Sequence, residues 1–145
     1  MIAFISVITG SLIYKNNMAQ IKTQGEIIKI KKACQITDAI FEKIIKNFKF
    51  KTEVELRDFI LTEIKKRNLK PSFPPIVSSY KNAGNEIHPQ STKEKKKRFV
   101  IIDFGVIYEK YMSDMTRTIY VGNPSKEEKA IYNLLLQSEE LGINI

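Results

Sequence analysis

A chain of 145 residues, 43% hydrophobic and 28% charged, has the size and make-up of one globular domain or part of one. Its one cysteine, Cys34, excludes an intrachain disulfide framework, and one cysteine with one histidine excludes a zinc site of the Cys/His type within the chain. The net charge of +8 invites a nucleic-acid partner, but the densest basic run, Lys93 to Arg98, carries no interleaved aromatics for stacking and reads as a solvated loop.

In chain order, residues 1–20 come first. Their opening run MIAFISVITGSLIYK is apolar, too short for a membrane span and not preceded by a basic leader. The segment reads as a strand or the remnant of a preceding domain or linker, with residues 21–145 as the main domain. A cytoplasmic location is the default, with no membrane or specific nucleic-acid partner. Three helices then announce themselves by capping boxes, in which a hydroxyl and a carboxylate three residues apart satisfy each other's exposed backbone N–H groups: Thr23 with Glu26, Thr52 with Glu55, Ser125 with Glu128. After the first cap, Ile27, Ile30, Cys34, Thr37, Phe41, Ile44 and Phe48 fall at helical steps and predict an amphipathic helix over about Gln24 to Asn47, with Cys34 as a small buried hydrophobe. Leu56, Phe59, Ile60 and Ile64 give the second helix, which Asn68 and Pro71 stop. The third carries Ile131, Leu134, Leu135, Ser138 and Leu141 on its apolar face.

Between the second and third helices the character is β. Pro71 to Ser79 reads as an extended segment kept partly at an edge by its prolines, followed by a polar loop over Lys81 to Glu86. Phe99 to Asp103 is an apolar run ending in a carboxylate, and Thr116 to Val121 is rich in β-branched and aromatic residues. A hairpin centred between Glu109 and Lys110 pairs Tyr108 with Tyr111, Val106 with Ser113 and Gly105 with Asp114, which puts Asp103 and Asp114 on one face, roughly 7 Å apart at Cβ. Two carboxylates so close are compatible only if they share protons, a cation or a metal cluster. Glycine opposite Asp114 is expected to leave space for an ion in front of the carboxylate. Glu109-Lys110 lacks the Asn or Gly of a two-residue primed turn, so a four-residue loop of the same centre is an alternative. Taken alone, the aspartates could instead pair with Lys110, Arg117 or the lysine loop, and His88 could be a surface or capping residue. The class is α+β, an antiparallel sheet with amphipathic helices on one face.

The run DFGVIYEKYMSDMTRTIYVGNPSKEEKAIYNLLL resembles the first metal-binding segment of the pita-bread metallopeptidases, the group of aminopeptidase P, Xaa-Pro dipeptidase, creatinase and methionine aminopeptidase. EIIKIKKACQITDAIFEKI is similar to the opening helix of that fold and PSFPPIVSSYKNAGNEIH to its strand and histidine loop, so the resemblance runs from about Ile21 to Ile145. It implies the N-terminal half of the catalytic domain. Asp103 would chelate one metal, Asp114 would bridge two, and His88 would orient the substrate and help move a proton. The implied reaction is hydrolysis of a peptide bond preceding proline by a hydroxide held between two divalent ions, manganese, cobalt or zinc. The substrate is then a peptide with proline at its second position.

Two local departures are visible: a shorter loop reading Lys95-Lys96-Lys97-Arg98 ahead of the first aspartate strand, and Lys110 where the family commonly has glycine. The histidine and two glutamates that the family's second half adds to the metal shell have no counterpart in this chain. A complementary C-terminal half or a homo-oligomer is therefore implied, and the chain alone is expected to be inactive. Two other readings follow from the same residues: a pita-bread binding module without the chemistry, and a basic nucleic-acid-binding domain. Arg117 is assigned to structural pairing with carboxylates.

Overall fold

The computed structural model describes residues 21–46, 48–85, 89–93 and 98–143. The segment 1–20, His88 and the centre of the lysine-rich run lie outside the described residues. The elements are α1 (Gln24–Lys46), α2 (Glu53–Lys65), β1 (Lys70–Pro71), β2 (Ile76–Ser79), α3 (Tyr80–Asn85), β3 (Arg98–Phe104), β4 (Val106–Tyr108), β5 (Tyr111–Met112), β6 (Met115–Val121) and α4 (Lys126–Ile143). Among the described residues no helix is long and apolar enough to cross a membrane.

Two of the three capping boxes close reciprocally, and the third closes by half. Thr23 N–H donates to Glu26 Oε2 at 2.8 Å while Glu26 N–H returns to Thr23 Oγ1. Ser125 and Glu128 do the same at the start of α4. At α2 the hydroxyl half is regular, but Glu55 reaches one residue further back, to Lys51 N–H at 2.7 Å. The helix ends where Asn68 takes φ 55°, the left-handed conformation that asparagine tolerates.

Two three-stranded antiparallel sheets follow, ordered β2-β3-β6 and β1-β4-β5. The hairpin passes from one into the other with its register unbroken: Asp103 faces Thr116, Phe104 faces Met115 and, nearer the turn, Tyr108 faces Tyr111. The turn has two residues, with Glu109 at φ 46° and Lys110 at φ 73°, the conformation of a type I′ turn in spite of the sequence. Its tip is held to α1, because Tyr111 Oη donates to Glu26 at 3.1 Å and Lys29 pairs with Glu109 at 3.1 Å. A left-handed lysine carries backbone strain, so Lys110→Gly should raise stability by about 1 kcal/mol in a urea melt.

Alternate residues of β3 (Val100, Ile102, Phe104) turn to the core, where Ile40, Phe41 and Ile44 of α1 meet Leu56, Ile60 and Ile64 of α2. Each such side chain contributes about 1.5 to 3 kcal/mol on burial. The intervening Phe99 lies on the other side of the strand, where it stacks on Tyr132 of α4 at 6.1 Å and meets Tyr120 edge-on at 5.1 Å.

Two expectations fail, and the apolar stripe of the last helix finds no cover among the described residues. The polar loop over Lys81 to Glu86 contains α3, which begins as Tyr80 turns the chain out of β2 at φ 51°. Cys34 is exposed, since the buried stripe of α1 is Ala33, Thr37, Ile40, Phe41 and Ile44, one helical step away. Its thiol stays protonated above the usual range through desolvation and the nearby Asp38 charge. The stripe of α4 turns outward, with Ile131, Leu134, Leu135 and Leu141 all exposed, and Tyr132 alone is buried.

One carboxylate joins α1 to α2. Glu63, 3% exposed, meets Lys43 at 2.7 Å, Lys66 at 2.8 Å and Arg67 at 3.0 Å. These hydrogen-bonded cations, Lys43 first, hold its pKa down from 4.5 to about 2. The folded chain therefore binds this proton less readily than the unfolded chain. The stabilisation is complete above about pH 4.5 and drains away as pH falls toward 2. Glu63→Gln should lower the melting temperature at pH 7 and flatten its dependence on pH across that window.

Candidate metal centre

Asp103 sits on the central strand of its sheet, between Ile76 of β2 and Thr116 of β6, so backbone pairing on both sides fixes its position. Thr116 Oγ1 donates to its Oδ1 at 3.0 Å. Asp114 follows Ser113 in the short link between β5 and β6, where no ladder holds it.

Ser113 supplies the missing constraint. Its hydroxyl accepts from Val106 N–H at 2.9 Å and meets the buried Thr37 hydroxyl of α1 at 2.6 Å. Its N–H donates to Val106 O at 3.0 Å, and its carbonyl accepts from Ser72 Oγ at 2.9 Å. The residue before Asp114 is thus bound to α1, β4 and the segment after β1.

Gly105 serves this arrangement in a way the sequence did not suggest. A Cβ there would fall on the carbonyl of Ser113 and the hydroxyl of Ser72. The space expected for an ion is occupied by these protein atoms. Glycine is required so that two backbone segments can approach.

Asp103 and Asp114 nevertheless line one cleft of about 360 Å³, together with Phe73, Pro74, Pro75, Ile76, Pro89 and Gln90. The wall is mostly apolar and the polar groups are few, as in a ligand site. Two hard carboxylates in one cleft, one of them oriented by a hydroxyl, suit a divalent cation that takes oxygen ligands. They form a partial set, since no group of three or more His, Cys, Asp or Glu able to hold a metal is found among the described residues. His88, assigned to this site by the resemblance, lies outside the described residues. Arg117 lines a separate groove with Asp38, Phe41 and Glu42, and donates to Thr116 O at 2.9 Å.

Glu53, the first residue of α2, belongs to no motif in the sequence. It is 1% exposed, and it accepts from Ser79 N–H and Oγ, Asn82 Nδ2, and Thr92 N–H and Oγ1 at 2.7 to 2.9 Å. The only signal in the sequence is an acidic residue directly after a helix cap, which is ordinarily a solvated complement to the helix dipole.

The sequence profile of metallopeptidase family M24 matches residues 28–145. An uncharacterized peptidase of Staphylococcus epidermidis is 41% identical over 128 residues, 85% of this chain and 36% of that protein. A Staphylococcus aureus counterpart is 38% identical over 129 residues, 87% of this chain and 37% of that protein. Among solved structures, the Xaa-Pro dipeptidase from Bacillus anthracis superposes with a TM-score of 0.72 at 38% identity, covering 81% of this chain and 34% of its own. The recombinant prolidase from Thermococcus sibiricus superposes at 0.75 and 37% identity, covering 83% and 34% respectively. The chain has the pita-bread architecture over the part it shares with these proteins, and it spans about a third of the length of the relatives it matches.

Proposed function

The chain belongs to metallopeptidase family M24, and on that premise we propose that it is part of an Xaa-Pro peptidase, the part that brings Asp103 and Asp114 to a pair of divalent ions. The observation that carries this reading is the convergence of both carboxylates on one apolar-walled cleft. Asp103 and Asp114 would hold the ions, the first as a ligand to one and the second shared between both, and their hard oxygen donors suit manganese, cobalt or zinc. Two such ions, when bound, supply Lewis acidity and an activated water for hydrolysis of the bond preceding proline.

The chain's own residues do the rest. Thr116 keeps one carboxylate oxygen of Asp103 oriented, and Ser113 anchors the link that carries Asp114. Phe73, Pro74, Pro75, Ile76 and Pro89 keep water from that side of the cleft and give a proline-containing peptide an apolar surface. His88, next before Pro89 in the sequence, orients the substrate and moves a proton.

Two carboxylates leave most coordination positions open. The remaining ligands would come from the part of the family's domain that these residues do not cover, and the outward stripe of α4 is the surface offered to it. A cytoplasmic setting accords with its thiol usage. The test is coexpression with the C-terminal segment of the Staphylococcus epidermidis relative, followed by assay on Xaa-Pro dipeptides. Cleavage that requires manganese and is abolished by a chelator is expected. A folded, manganese-loaded pair that leaves the peptides intact would favour a binding module without the chemistry.

A further inference from the structure

We propose that Glu53 is a positioning residue for the carboxylate cleft, holding the Pro89–Thr92 segment in place as one of its walls. The segment belongs to no helix or strand, yet it is bound on two sides. Ser91 behaves as a strand residue would, its hydroxyl accepting from Val77 N–H at 3.2 Å and donating to Val77 O at 2.8 Å. One position further on, Thr92 gives both its N–H and its hydroxyl to Glu53 Oε2, and its carbonyl accepts from Val54 N–H at 3.1 Å. Asn82 closes the loop, because its Nδ2 donates both to Glu53 Oε2 at 2.8 Å and to Gln90 O at 3.0 Å.

Glu53 thus joins the start of α2, the end of β2, α3 and the segment that brings Pro89 and Gln90 to the cleft with Asp103 and Asp114. Five donors converge on its two oxygens, a place suited to a group that presents acceptors and no N–H. Glutamine at this position would turn an NH₂ group toward one set of donors. Aspartate would be one methylene short of them.

Amide exchange on the full chain, at a temperature where it stays folded, tests this. In Glu53→Gln the amides of Thr92, which donates to the carboxylate, and Val54, which donates to the Thr92 carbonyl, should exchange about tenfold faster than in the unsubstituted chain, the equivalent of one lost hydrogen bond, while Val100 and Ile102 in β3 stay unchanged. Asn82→Ala, at a more exposed site, should speed the same two amides. Unchanged exchange at Thr92 and Val54, or acceleration spread evenly into β3, would overturn the assignment. A second readout rests on the metal reading: manganese added to the chain should broaden the Gln90 amide signal, and Glu53→Gln should reduce that broadening while leaving it intact at Thr116. No broadening at either residue in the unsubstituted chain would count against the metal reading, and the exchange result would still decide the role of Glu53.

Discussion

Gly105→Ala should destabilise the chain by about 3 to 4 kcal/mol and lower its affinity for manganese together with its stability. The cause is steric. The new methyl group would coincide with the carbonyl of Ser113 and the hydroxyl of Ser72, and both must give way. Moving the carbonyl breaks the bond from Ser72 and strains the exchange between Ser113 and Val106. Each lost bond costs about 1 kcal/mol, and crowding in a site closed on two sides adds about 1 to 3 kcal/mol. Asp114 is the next residue, so the same movement carries its carboxylate away from Asp103. A urea melt and a manganese titration of one sample measure both effects. Retained affinity at reduced stability would show that the link is not what places Asp114.

Asp114→Asn and Asp103→Asn should act in the opposite proportion. Asparagine keeps the volume and can still accept from Thr116 at position 103, so the fold survives and the melting temperature moves by no more than a few degrees. The charge that holds a divalent cation is gone, and each substitution should weaken manganese binding at least about a hundredfold. In the coexpressed pair, peptide cleavage should fall in parallel. Loss of binding without loss of stability marks residues kept for chemistry, and a large drop in melting temperature with unchanged binding would assign the aspartates to the hairpin instead.

The register from Asp103 through Asp114 was readable because strand alternation has a period of two and a slip of one residue would turn every side chain over. The capping boxes were readable because both partners lie within one turn. The turn conformation was less so: Glu109 and Lys110 adopt positive φ because strands anchored on α1 and in both sheets dictate it, and no local preference announces that. Spacing in α4 identified an apolar stripe but not its direction, since a period says that a face exists and not what lies against it.

Contacts between distant segments were invisible for the same reason. Glu53 depends on Thr92, and the Ser113 link depends on Thr37 and Ser72, each partner tens of positions away. A single chain with no pairing information cannot disclose such pairs. Gly105 was noticed, but for the space it would leave rather than for the backbone approach it permits. The resemblance added the roles of Asp103, Asp114 and His88, which spacing could not supply.

Everything proposed for this chain rests on Asp103 and Asp114 jointly holding a divalent ion in one cleft. Anomalous scattering from a crystal of the chain grown with manganese tests it most directly. A peak in contact with both carboxylates is expected, inside the cleft they line. A peak held by other residues, or none at either carboxylate in the presence of millimolar manganese, would contradict it.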